Sequence, residues 1–91
     1  MTPPHKQNSA EFREHQTDQI FEQAHGYLGE GSYLAQLVES HRAGIINTDP
    51  TALLRLQAIL QGIWHAGGLE QGQFQDLITM IFTGQAEGWL S

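Results

Sequence analysis

Apolar residues recur along the chain at helical spacing, and glycines and one proline cut that recurrence into four segments. In the first, Phe12, Ile20, Ala24, Tyr27 and Leu28 share one broad face, with Phe21 at its edge. Side chains three and four apart stack on one side of a helix, so the pattern predicts a helix over 10–27. Its first half is polar apart from Phe12, which leaves open whether it docks or projects. Asn8 with Glu11 reads as a capping-box variant, and Ser9 is the other candidate cap.

The second segment, over 32–43, starts at a capping Ser32 and places Leu34, Leu37, Val38 and His41 on one face. Gly44 is its expected left-handed stop, and Arg42 in its last turn suits the helix dipole. The third has the strongest start in the chain, Asp49 at the cap and Pro50 at the first helical position. Leu53, Leu54, Leu56, Ile59, Leu60, Ile63 and Trp64 then cover more than half the circumference, as expected of a central helix or a subunit interface. Gly67 and Gly68 end it, with His65 expected to cap its C-terminus. The fourth segment, over 70–83, carries Phe74, Leu77, Ile78, Ile81 and Phe82, with Leu69 and Phe74 spaced as a hydrophobic staple. Gly84 is its expected stop, and Trp89 and Leu90 are expected to fold back onto the body. No stretch alternates with period two. The expected fold is therefore all-α, a small four-segment helical bundle, with 1–8 a disordered N-terminal arm and 9–91 a single helical domain.

Length and charge change the picture in two ways. A chain of 91 residues buries only a modest fraction of its surface, so this many bulky apolar side chains predict a homodimer or another partner. The net charge is −6, and the only cations besides histidine are Lys6, Arg13, Arg42 and Arg55, scattered along the chain. Phosphate binding needs clustered cations, so direct nucleic-acid binding is not expected. A helix-turn-helix over segments two and three fails too, because the second helix offers leucines where base edges need polar groups. No cysteine is present, which excludes disulfides and thiolate metal sites. No apolar run is long enough to span a membrane, and nothing near Lys6 reads as a signal peptide, so the expected address is cytoplasmic.

Candidate chemistry is sparse. Glu11, His15, Asp18, Glu22 and His25 are spaced to share the face of the first helix opposite its apolar one. Glu22 and His25 form a Glu-x-x-His pair, the unit of di-iron bundles, but no second pair exists to complete such a site. The plainer reading is a solvated face, so no metal and no cofactor are expected. The glycines from Gly26 to Gly31 lack the Gly-Lys-Ser/Thr of a phosphate loop and read as a turn. No serine sits in a nucleophile elbow, so no catalytic residue is assigned and the chain is not expected to be an enzyme.

Protein binding remains. The candidate partner-binding residues are Tyr33, Leu34, Leu37, Val38 and His41 on the second segment, with Phe21 and Tyr27 on the first. They are drawn from periodicity, and each reads equally as monomer core. His41 reads either as a half-buried helix-end histidine or as a polar contact within a binding surface.

The stretch from Glu30 through Gly44, with Asp49-Pro50-Thr51-Ala52-Leu53-Leu54 and Gly62-Ile63-Trp64-His65-Ala66-Gly67-Gly68, resembles the QslA-type antiactivators of LuxR-family quorum-sensing regulators. The resemblance covers roughly 27–84 and lies in size, acidity, helix order and wording rather than in a diagnostic motif. It implies a helical dimer that binds the ligand-binding domain of a LuxR-type transcription regulator, as in LasR. By covering the surface through which that regulator dimerises, it would keep the regulator from holding two DNA half-sites. An antitoxin-like or structural interaction protein, and a metal-binding helical protein, are the alternatives.

Overall fold

The computed structural model describes residues 10–90, and the expected arm at 1–8 and the candidate caps Asn8 and Ser9 lie outside them. Five α-helices follow one another: α1 (Ala10–Leu28), α2 (Tyr33–Glu39), α3 (Arg42–Ile46), α4 (Pro50–His65) and α5 (Gln71–Glu87). No strand occurs among the described residues. The four expected segments are all helical, and the second is broken into α2 and α3. The fold is all-α.

The starts follow the local chemistry. Ser32 caps α2 by accepting the Ala35 N–H at 3.1 Å, and Asp49 caps α4 by accepting the Thr51 N–H at 2.9 Å. Each side-chain oxygen satisfies one backbone donor that the first turn leaves without a partner. At α5 the Glu70 N–H donates to Gln73 Oε1 at 3.0 Å, one half of a capping box.

The ends differ from expectation where glycine serves a tertiary purpose. Gly44 does not stop a helix; it lies within α3, and a Cβ there would sit 2.7 Å from the Cβ of Ala52. Its missing side chain lets α3 lie against the start of α4. The left-handed residue after α3 is instead Thr48, at φ 61°. Likewise α5 runs through Gly84 to a left-handed Gly88. A Cβ at Gly84 would meet the Trp89 ring at 2.8 Å and Leu90 at 2.9 Å. The Gly84 carbonyl also accepts the N–H groups of Gly88, Trp89 and Leu90. Gly84 is thus where the buried tail residues Trp89 and Leu90 fold back onto α5. The expectation for α4 holds: Gly68 N–H bonds the Ile63 carbonyl and Gly67 N–H that of Trp64, a Schellman ending with Gly67 left-handed.

Helix α1 packs on α2, α3 and α5, while α4 packs on α2, α3 and α5. Phe21, Val38, Leu56, Leu60, Leu77 and Ile81 are the largest fully buried side chains. Phe21, an edge residue by periodicity, is a centre of the core because α1 is covered on two sides. The first half of α1 docks as well: Thr17 is buried, and Phe12 packs against the core. No helix among the described residues is long and apolar enough to cross a membrane.

Candidate functional site

The over-wide apolar arc of α4 divides in two. Leu53, Leu56 and Leu60 turn into the core, and the buried Ile63 borders both the core and the outer arc. The remaining arc forms one side of an open groove of about 500 Å³ between α2 and α4. Its α4 lining is Ala58, Ile59, Gly62 and Ile63, continued by Ala66 at the C-cap; Leu34 and Leu37 of α2 face them, and Gly68 joins them from the α4–α5 turn. None of these side chains is titratable. Burying such a concave, apolar surface is favourable by roughly 25 cal/mol per Å² before any cost of association, which makes the groove a candidate site.

The groove exists because small residues hold its floor down. Ala58, Gly62 and Ala66 follow at intervals of four and so lie in one row along α4. A Cβ placed on Gly62 would meet nothing within 4 Å. By contrast a Cβ on Gly68 would lie 2.7 Å from Ile63 Cγ2 and 3.2 Å from Leu34 Cδ1, so that glycine lets the chain turn tightly under Leu34. Leu54, one turn before Ala58 in the same row, is 66% exposed, and Tyr33, the residue before Leu34, is 77% exposed. A second exposed apolar residue group lies on α5, where Phe82 follows the half-buried Ile78 by one turn.

The seven residues expected to bind a partner fall into three groups. Leu34 and Leu37 line the groove, and Tyr33 adjoins it in sequence. Val38 and Phe21, 1% and 0% exposed, are core residues and contribute nothing to an accessible surface. The reason is geometric: Val38 follows Leu37 by one position, which turns it about 100° to the other side of α2. Tyr27 is tied down, accepting from Gln23 Nε2 at 2.6 Å and donating to Asp76 Oδ2 of α5 at 2.9 Å. His41 is half-buried at the break between α2 and α3, its Nδ1 3.1 Å from the Leu37 carbonyl and 3.2 Å from Ser40 Oγ. Periodicity missed Ala58, Ile59 and Gly62 as site residues. The signal was present in the surplus width of the α4 apolar arc.

The polar face of α1 is not simply solvated. His25 Nε2 lies 2.7 Å from Glu39 Oε1 at the end of α2. Arg42 reaches from α3 to Asp18 Oδ1 at 2.8 Å and to Glu39 Oε2 at 3.2 Å, with its guanidinium 5.1 Å from the Phe21 ring centroid. Two members of the expected five-residue face are therefore engaged with α2 and α3. His15 lies instead beside Gln19, at 3.2 Å. Among the described residues no three His, Asp or Glu side chains converge as a metal would need. At the C-terminus of α4, His65 tilts against Trp64 at 4.7 Å between ring centroids, and Trp64 stacks on Phe74 at 4.5 Å.

The chain matches no protein-family model, no curated protein and no solved structure.

Proposed function

We propose that this chain is a non-enzymatic, cytoplasmic inhibitory module that captures a protein partner in the α2–α4 groove. The observation that carries the reading is the groove itself: an open apolar concavity walled by Leu34, Leu37, Ile59 and Ile63. Such a surface receives an apolar ridge or the apolar face of a helix. The exposed Tyr33 beside Leu34 adds an aromatic anchor, a residue type that dominates binding energy when an interface forms. The partner follows from the resemblance of 27–84 to QslA-type antiactivators: the ligand-binding domain of a LuxR-type transcription regulator, LasR-like, held through its dimerisation surface. A regulator held this way is unable to pair on DNA.

The test is co-purification with the isolated LasR ligand-binding domain, followed by light-scattering mass. A stable complex that Leu34→Asp and Leu37→Asp each abolish, with helicity by circular dichroism unchanged, supports the reading. A complex indifferent to both substitutions removes the groove as the site. No complex with the well-folded wild-type chain removes the regulator as the partner.

A further inference from the structure

We propose that a small cavity between the start of α1, the end of α3 and the folded-back tail binds a small monocarboxylate, held by Arg13. The cavity has a volume of about 60 Å³ and is lined from α1 by Arg13, Glu14 and Thr17. Arg13 carries the inference because its guanidinium has no counter-ion. Its Nε is buried without a hydrogen-bond partner. All ten acidic side chains of the chain lie among the described residues, and none of them forms an ion pair with Arg13. Arg42 makes the contrast. Its Nε is likewise unbonded, but its two terminal nitrogens hold Asp18 and Glu39. Partly buried cations are ordinarily paired, and a buried donor without a partner calls for an acceptor. For Arg13 that acceptor is an anion from outside the chain.

The surroundings select the kind of anion. A guanidinium presents parallel N–H groups that match the two oxygens of a carboxylate. Thr17, 2% exposed and one turn further along α1, adds a hydroxyl donor. The hydroxyl of Thr48, also on the cavity wall, already donates to the Asn47 carbonyl, so Arg13 and Thr17 are the donors that hold the ligand. Glu14 is exposed and brings a carboxylate to the rim. One cation beside one carboxylate, in a chain of net charge −6, suits a single negative charge and repels a phosphate dianion. The remaining walls, Ile45, Ile46 and the Trp89 ring, are apolar and suit a methyl or short alkyl group. Acetate has this charge and this shape. No residue lines both this cavity and the α2–α4 groove, so the carboxylate site does not rest on the partner proposed above.

The experiment is a titration of the full chain with sodium acetate, followed by the two tryptophan indole N–H signals in nitrogen-edited NMR spectra. Trp89 lines the cavity and reports on it, whereas Trp64 stacks on Phe74 elsewhere and is the internal reference. Sodium chloride and sodium phosphate at matched ionic strength are the comparison salts. The expected result is a saturable shift of the Trp89 signal with a Kd in the millimolar range, roughly what so few ligand atoms can supply. Trp64 stays in place, and chloride and phosphate bind more weakly. Arg13→Gln weakens acetate binding by about tenfold or more, the loss of a charge-assisted contact. Thr17→Val, which keeps the shape of the buried side chain, weakens it several-fold. A Trp89 shift that does not saturate below about 100 mM, or that chloride reproduces, overturns the inference and leaves water as the acceptor for Arg13. Tighter binding of phosphate overturns the ligand class, and an Arg13→Gln protein that binds acetate like the wild type removes Arg13 as the holder. Thermal melts without ligand show whether Arg13→Gln folds; if it does not, Thr17→Val and the comparison salts decide, and unchanged binding by Thr17→Val overturns the site.

Discussion

Arg42 at the start of α3 holds Asp18 of α1 at 2.8 Å while its guanidinium lies 5.1 Å from the Phe21 ring centroid. The same side chain reaches Glu39, which also receives His25. One arginine therefore fastens the two short helices to the long one where the backbone breaks. Helices of seven and five residues have little stability of their own, so tertiary contacts must hold them.

Replacing Arg42 tests that role. Arg42→Ala removes two charge-assisted contacts and the cover over Phe21, with an expected loss of about 1–3 kcal/mol. Arg42→Lys keeps the charge but loses the planar fork and the stacked face, and should fall between the two. Urea midpoints for the three proteins, at low and high salt, check the order. The pair is only partly buried, so the gap between the wild type and Arg42→Ala should narrow as salt rises.

Glycines of two kinds should respond with opposite sign. At Gly44 and Gly84 an added Cβ meets Ala52 or Trp89 within 3 Å. Gly44→Ala and Gly84→Ala should therefore destabilise by about 1–3 kcal/mol through forced shifts of packed neighbours. Gly62 lies in the interior of α4 with nothing near its Cβ position. There Gly62→Ala should stabilise by up to about 1 kcal/mol from helix propensity alone. Thermal melts at a concentration where the chain is monomeric separate the two classes. A gain at Gly84 would mean that Trp89 does not pack where the structure places it.

These glycines also show how far the sequence could be read. The caps at Ser32 and Asp49 were legible because their chemistry is local, each acting within three residues. Gly67 was legible for the same reason, since a Schellman ending is closed by its own helix. Gly44 and Gly84 look like stops in the sequence because a sequence does not distinguish a glycine needed for positive φ from one needed for close approach. The Ser40–His41 break carries neither glycine nor proline; Ser40 Oγ donates to the Leu37 carbonyl at 2.6 Å instead. On α1, Asp18 and His25 looked solvated because their partners lie on other helices. The groove was foreshadowed by the surplus apolar residues of α4, of which Ile59 lines it. Which of them stays outside depends on where α2 lies.

Thr48 offers a gain without any new contact. It is the one described non-glycine residue at positive φ, 61°, and a β-branched side chain is strained there. Its hydroxyl donates to the neighbouring Asn47 carbonyl at 2.6 Å, a local bond that water replaces readily. Thr48→Gly should raise stability by about 1 kcal/mol, less the extra freedom that glycine adds to the unfolded chain. Thr48→Asn tolerates the same conformation and keeps a polar side chain. Equal or lower melting temperatures for both variants would show that the turn relaxes out of the left-handed region.

The neighbours Leu37 and Val38 separate docking from folding. Leu37 is half-exposed on the groove wall, whereas Val38 is 1% exposed in the core. An aspartate at 37 can turn its carboxylate to water, so Leu37→Asp should remain cooperative in urea and lose only partner capture. An aspartate at 38 would put an unpaired charge among apolar side chains, a cost of several kcal/mol that rivals the roughly 5–15 kcal/mol typical of a whole domain. Val38→Asp should therefore lose cooperative unfolding at neutral pH. It should regain part of it in mild acid, where the carboxyl is neutral. Circular dichroism across a urea series gives both results from one set of samples. A Leu37→Asp protein that unfolds like Val38→Asp would mean that this wall of the groove is core, and would remove it from the proposed docking surface.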